Sequence, residues 1–151
     1  MSDHVLEQIN QSAQCLYALK TLKTHGLDPT SLHQVCQATI VSRLTYASPS
    51  WWGFVTSDDK LRMQSVLNRA KRWGLCDKGI SPLEEICAKL DRDLFQKVTS
   101  SPAHPLHHLL PPPSTHTHNL RPRIHDRQLP IKGTSCLTKT FIQRMLFKDI
   151  Y

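Results

Sequence analysis

Glycine is scarce, with five residues in 151. That leaves little material for a phosphate-cradling loop, and neither a nucleophile elbow (G-x-S-x-G) nor a zinc-protease helix (H-E-x-x-H) occurs. No apolar run approaches the roughly eighteen residues that a membrane span requires. The first twenty residues carry Asp3, Glu7, Gln8 and Asn10 where a secretory signal would be apolar, so neither membrane insertion nor secretion is expected. No two cysteines form a C-x-x-C pair. Cys15, Cys36, Cys76, Cys87 and Cys136 are odd in number and widely spaced, which excludes a disulfide framework and a zinc module and points to a reducing, intracellular setting with small buried thiols.

Carboxylates are also few, twelve Asp and Glu against nineteen Lys and Arg, a net charge of +7 with nine histidines neutral. Two-metal phosphoryl transfer needs carboxylates that converge. The adjacent acidic pairs, Asp58-Asp59 and Glu84-Glu85, fall where helices are expected to begin, and compensation of the helix dipole accounts for both. No catalytic residue, cofactor or metal is therefore expected. Six histidines (His104, His107, His108, His116, His118, His125) crowd one stretch, but Pro102 and Pro105 break the helical register that would pair His104 with His108.

What the sequence does contain is helical period. Val5, Ile9, Ala13, Leu16 and Leu19 recur on one face between Ser2 and Thr24, with Tyr17 and Leu22 widening the stripe, and Gly26 supplies the stop. Asp28 and Pro29 start a second helix, lined by Leu32, Cys36, Ile40 and Ala47, that should end near Ser48-Pro49. Thr56-Ser57-Asp58-Asp59 opens a third, with Met63, Val66, Leu67, Ala70 and Trp73 on its apolar face and Gly74 as its stop. Ser81-Pro82-Leu83-Glu84 reads as a capping box for a fourth, lined by Leu83, Ile86, Cys87, Leu90, Leu94 and Val98. Seven of the ten prolines then fall between Pro102 and Pro130, where no period survives. A short helical period returns at Phe141, Met145 and Ile150. The expected architecture is mainly α: a bundle of about four helices over 1–100, a Pro/His-rich extended or disordered linker over 101–137, and a short helical segment over 138–151.

The third helix places Arg62, Arg69 and Arg72 along one edge of its apolar face, Lys60 and Lys71 along the other. Either a phosphate backbone runs along such an edge, or the long side chains are solvated and cover the hydrophobic rim. Arg43 lies on the apolar stripe of helix two, where it must snorkel, pair with a carboxylate or reach an external anion. Arg121, Arg123 and Arg127 sit in proline-rich chain, the first two spaced to share one side of an extended strand, suited to tracking nucleic acid or to clipping onto a neighbouring domain.

Read in order, Cys15-Leu16-Tyr17-Ala18-Leu19-Lys20-Thr21-Leu22-Lys23-Thr24-His25-Gly26-Leu27 and Ser42-Arg43-Leu44-Thr45-Tyr46-Ala47-Ser48-Pro49-Ser50-Trp51-Trp52-Gly53-Phe54 resemble the region after the polymerase core of non-LTR (LINE-type, jockey/CR1-like) retrotransposon reverse transcriptases. Asn119-Leu120-Arg121-Pro122-Arg123 with Leu129-Pro130, and the ending Phe141 to Tyr151, are similar to the close of the same reading frame. The resemblance implies a thumb and C-terminal tail. The family's catalytic aspartates belong to an upstream palm, in a Tyr/Phe-x-Asp-Asp turn that this chain lacks, so polymerase activity does not carry over and the chain is not expected to be an enzyme.

Under that resemblance Arg43 and Trp51-Trp52-Gly53-Phe54 belong to thumb architecture, and the basic residues of helix three are expected to touch a phosphate backbone. The candidate nucleic-acid-binding residues are Arg43, Lys60, Arg62, Arg69, Lys71, Arg72, Arg121 and Arg123. The expected partners are RNA or DNA, as an RNA–DNA hybrid in the parent enzyme, and the absent palm, with self-association through exposed apolar faces. The functional expectation is a truncated retroelement product contacting nucleic acid without sequence preference. The alternative is a structural or protein-interaction remnant with no activity of its own.

Overall fold

The first helix, α1 (Ser2–Thr24), ends where the local chemistry says it should. Gly26 takes a left-handed φ of +88°, and the Gly26 and Leu27 N–H groups return to the carbonyls of Lys23 and Leu22, closing the helix as a Schellman turn. A computed structural model describes residues 2–114, 125–131 and 133–148, and the described part is mainly helical. The chain divides into two compact units, residues 1–48 with 55–88 and residues 49–54 with 89–151.

In the first unit α1 packs on α2 (Pro29–Cys36), α3 (Ser42–Thr45) and α5 (Ser57–Arg72). Val5, Ser12, Leu16 and Leu19 are buried, whereas Tyr17 and Leu22 stand exposed. At about 100° per residue those two lie roughly 90–130° from the centre of the buried arc, outside the stripe they were expected to widen. Asp28 caps α2, accepting from the Ser31 N–H at 2.9 Å, with Pro29 in the first turn.

Between α2 and α3 the chain makes a π-turn, Gln37–Val41. The extra residue rotates the helix, so that Val41, Leu44 and Thr45 follow Ile40 into the core. Ala47, expected on that face, is exposed and has a positive φ of 49°. The helix stops at Thr45, short of the proline. Pro49 instead sits in the opening turn of α4 (Ser48–Trp51), which runs into a 3-10 turn, Trp52–Phe54.

Helix α5 is capped by the Thr56 hydroxyl, which accepts from the Asp59 N–H at 3.2 Å. It closes at Gly74 (φ +64°), with Leu75 N–H bonded to Ala70 and Gly74 N–H to Lys71. Leu75, the next residue, is fully buried. The start of α6 (Leu83–Ser100) differs from expectation. The Leu83 N–H is taken by the side-chain oxygen of Gln64 in α5, at 2.8 Å, so a partner nineteen positions away serves an orphan donor that the capping box was expected to help satisfy. The buried positions of α6 are Leu83, Cys87, Asp91, Phe95 and Val98, an arc displaced from the expected one; Leu90 is exposed.

The second unit is built on Phe95, Met145 and Leu146, with Leu110, Leu129, Phe141, Ile142 and Phe147 packed around them. Phe141 meets Phe95 edge to face, at 6.4 Å between ring centres. Met145 and Leu146 belong to α7 (Phe141–Leu146); Ile150 of the expected period lies outside the described residues. Trp51 and Trp52 are both buried, their rings edge to face at 5.8 Å.

After α6 the chain makes a series of tight turns and a 3-10 turn, His107–Leu109. Pro113 and Arg127 then form an isolated antiparallel bridge, reinforced by Gln128 N–H on the Pro112 carbonyl at 2.9 Å. Proline rings fix φ, and carbonyls without a competing N–H accept from the facing chain. Among the described residues no helix is long and apolar enough to cross a membrane.

Candidate nucleic-acid interface

Helix α5 carries acids in its first turn, Asp58 and Asp59, and cations in its last, Arg69, Lys71 and Arg72. Each set opposes the partial charge of its helix end. Burial of Met63, Val66, Leu67 and Ala70 fixes which face points inward. That orientation leaves Arg62, Arg69 and Arg72 exposed. Arg62 lies 3.7 Å from the Asp59 carboxylate, one turn back.

The opposite edge is occupied within the protein. Lys60 is half-buried and 3.9 Å from Glu84 at the start of α6. Lys71 is half-buried and donates to the Ile80 carbonyl at 2.5 Å. The two edges, alike in sequence, therefore differ in the folded chain: one presents arginines to solvent, the other ties α5 to the segment after it.

Two cations unmarked in the sequence reach the C-terminal end of α5. Lys23 of α1 donates to the Trp73 carbonyl at 2.6 Å, and the Lys20 ammonium lies over the Trp73 indole, 5.2 Å from its centre. Lys23 thereby serves one of the open carbonyls at the end of α5. Their spacing on α1 resembles that of any exposed lysine pair. Only the packing of α1 on α5 brings them to Trp73.

Arg43 is half-buried. Its Nη1 donates to the Gln11 side-chain oxygen of α1, and its buried Nε has no hydrogen-bond partner in the described structure. Arg121 and Arg123 lie outside the described residues. Arg127 is half-buried, donates to the Pro111 carbonyl at 3.4 Å and lies 3.7 Å from Asp126, both within the second unit.

Charge is divided unevenly. Residues 1–48 and 55–88 hold nine Lys and Arg against eight Asp and Glu, a net of +1; residues 49–54 and 89–151 hold ten against four, the other +6 of the total +7.

Three of the clustered histidines bond to backbone groups. His104 Nδ1 accepts from the Leu106 N–H at 3.1 Å, and His107 Nδ1 donates to the Val98 carbonyl at 2.7 Å. His125 is buried, accepts from the Arg127 N–H through Nδ1 at 3.1 Å and faces the Leu146 carbonyl through Nε2 at 3.0 Å. His116 and His118 lie outside the described residues. Among the described residues no three His, Cys, Asp or Glu side chains gather as metal ligands would.

The chain matches no family model, no curated protein sequence and no solved structure.

Proposed function

We propose that the chain is a helical module that contacts the phosphate backbone of nucleic acid without reading its sequence, corresponding to the thumb and tail of a non-LTR retrotransposon reverse transcriptase. The observation that carries this reading is the exposed strip of Arg62, Arg69 and Arg72 on α5. Ten residues of helix separate its ends, about 15 Å, a length suited to several successive phosphates.

Arginine binds phosphate as a planar fork and keeps its charge at any physiological pH. Both groups of the half-buried Gln64 amide are engaged: its nitrogen donates to the Asn68 oxygen at 2.9 Å while its oxygen caps α6. Backbone contact without base readout is the interaction such a face supports. The reading assigns no reaction to this chain; polymerisation belongs to the palm of the parent family.

A second reading, a structural or protein-interaction segment, is favoured by the near balance of charge in the unit that carries α5, nine cations against eight anions. One experiment separates the two. Binding of the full chain to a labelled RNA–DNA hybrid is measured by fluorescence anisotropy as salt rises from about 50 to about 200 mM. Three phosphate contacts weaken affinity by at least about tenfold over that range, and the double reversal Arg69→Glu, Arg72→Glu removes most of the binding at low salt. Affinity indifferent to both changes would establish the second reading.

A further inference from the structure

Trp73 caps the C-terminal end of α5. Four positions after Arg69, it lies roughly 40° further round the helix, between that arginine and the buried arc. It is half-buried, whereas Val66 and Ala70 beside it are closed off from solvent.

Helix α1, in the same unit, brings two cations and a second aromatic ring to this end. Lys23 donates to the Trp73 carbonyl at 2.6 Å, and a Cβ at Gly74 would come within 2.9 Å of the same ammonium, so the lysine lies across the closing turn. Lys20 holds its ammonium over the Trp73 indole, 5.2 Å from the centre. Tyr17, three positions before Lys20 and so its neighbour on the helix surface, is 74% exposed. Arg69 and Arg72 are exposed as well. Among the described residues none of Lys20, Lys23, Arg69 and Arg72 has a carboxylate within ion-pair distance.

Resting on the phosphate-contact reading of α5, we propose that this end of the first unit binds an unpaired strand of nucleic acid, with one base stacked on the Trp73 indole, a second within reach of Tyr17, and the four cations on the flanking phosphates. An ammonium over an indole marks an electron-rich face that a flat group can cover. At an exposed site that contact is weak, and a base stacked on an aromatic side chain is held more strongly. The base therefore takes the place over the ring, and Lys20, on its flexible four-carbon stem, turns to the adjacent phosphate. Inside a duplex the faces of the bases are covered by their neighbours, so an unpaired strand is the form that offers them. Stacking accepts any base, in keeping with contact that does not read sequence.

The test compares three labelled probes with the full chain at about 50 mM salt, by fluorescence anisotropy: an oligo-dT strand, an abasic strand of the same length, and the RNA–DNA hybrid. The abasic strand keeps every phosphate and loses every stacking face. Oligo-dT is expected to bind about tenfold more tightly than the abasic strand and to quench tryptophan emission. Trp73→Leu, which keeps an apolar side chain at the half-buried position, should abolish that quenching although the buried Trp51 and Trp52 remain, and should bring oligo-dT close to the abasic strand. Tyr17→Ser, at an exposed position, should narrow the same gap by less. The proposal is overturned if the abasic strand binds as tightly as oligo-dT, or if neither variant narrows the gap; salt-sensitive binding of all three probes would then leave the phosphate-contact reading standing. If none of the three binds at low salt, that reading fails and the stacking site with it.

Discussion

Arg144 holds Asp91 with two nitrogens: Nη1 donates to Oδ2 at 2.9 Å and Nη2 lies 3.4 Å from Oδ1, across fifty-three positions of sequence. Nη2 also donates to the Pro49 carbonyl at 3.1 Å. The two side chains are 21 and 5% exposed. One guanidinium therefore joins α7, α6 and the opening turn of α4 within the second unit. Breaking such a pair on one side leaves a poorly solvated charge behind, which costs more than making the pair gains. Asp91→Asn is expected to destabilise this unit by about 2–3 kcal/mol. Urea unfolding followed through Trp51 and Trp52, in a Trp73→Phe background, reads the effect locally.

Gly53 owes its identity to that arrangement. A methyl group there would come within 2.1 Å of the Lys139 carbonyl and 2.7 Å of the Arg144 Nε. Arginine can shift; a backbone carbonyl cannot do so without moving its turn. Gly53→Ala is expected to cost about 2–3 kcal/mol, measured as a fall in Tm by circular dichroism, and an unchanged Tm would show that the contact is not as tight as described.

The cap of α2 gives a pH dependence with a definite sign. The Asp28 carboxyl is held below its ordinary value by hydrogen bonds from Ser31, side chain first and then backbone, and from the Thr30 backbone. A depressed folded-state value means that the stabilisation is complete above the unfolded value near 3.8 and disappears as pH falls through the lower, folded one. Asp28→Asn keeps a cap but removes the titration, so its Tm should decline less steeply below about pH 4. Parallel curves for the two proteins would contradict this.

The bond from Leu83 N–H to Gln64 makes a distinct claim. Gln64→Ala leaves one N–H of the first turn of α6 without its partner, at an expected cost of about 1 kcal/mol in urea unfolding. Gln64→Glu retains the acceptor and should recover most of that stability.

Within the proposed interface the two edges of α5 should behave differently. Arg72→Gln removes one phosphate contact and lowers the slope of log affinity against log salt by about 1. Lys71→Gln, which loses a bond to Ile80, should leave that slope unchanged and lower Tm instead. Equal slopes in both variants would mean that the free edge and the occupied edge are not distinguished by nucleic acid.

The local elements were legible because their causes are local. Asp28 with Pro29, Thr56 with its acidic first turn, Gly26 and Gly74 each act within one helical turn, so the stop of α1, the start of α2 and both ends of α5 can be read from neighbouring residues. The stripe Met63, Val66, Leu67 and Ala70 is buried as its period requires. Tyr17 and Leu22 were assigned to a stripe wider than the packed one, and Ala47 was placed on a face that the π-turn rotates away. In the candidate site the periodicity located two basic edges without distinguishing them, because that difference depends on Glu84 and Ile80 lying beside one edge in the folded chain.

Sequence alone determined that this chain is helical, where most of its helices begin and end, and that it carries an excess of positive charge. It could do so because capping, proline geometry and 3.6-residue periodicity are properties of short windows. Only the tertiary structure decided which cations remain exposed, that Asp91 is buried against Arg144, and that Gln64 caps α6. The last two join residues fifty-three and nineteen positions apart, and no periodicity encodes a contact that exists only once distant helices have packed.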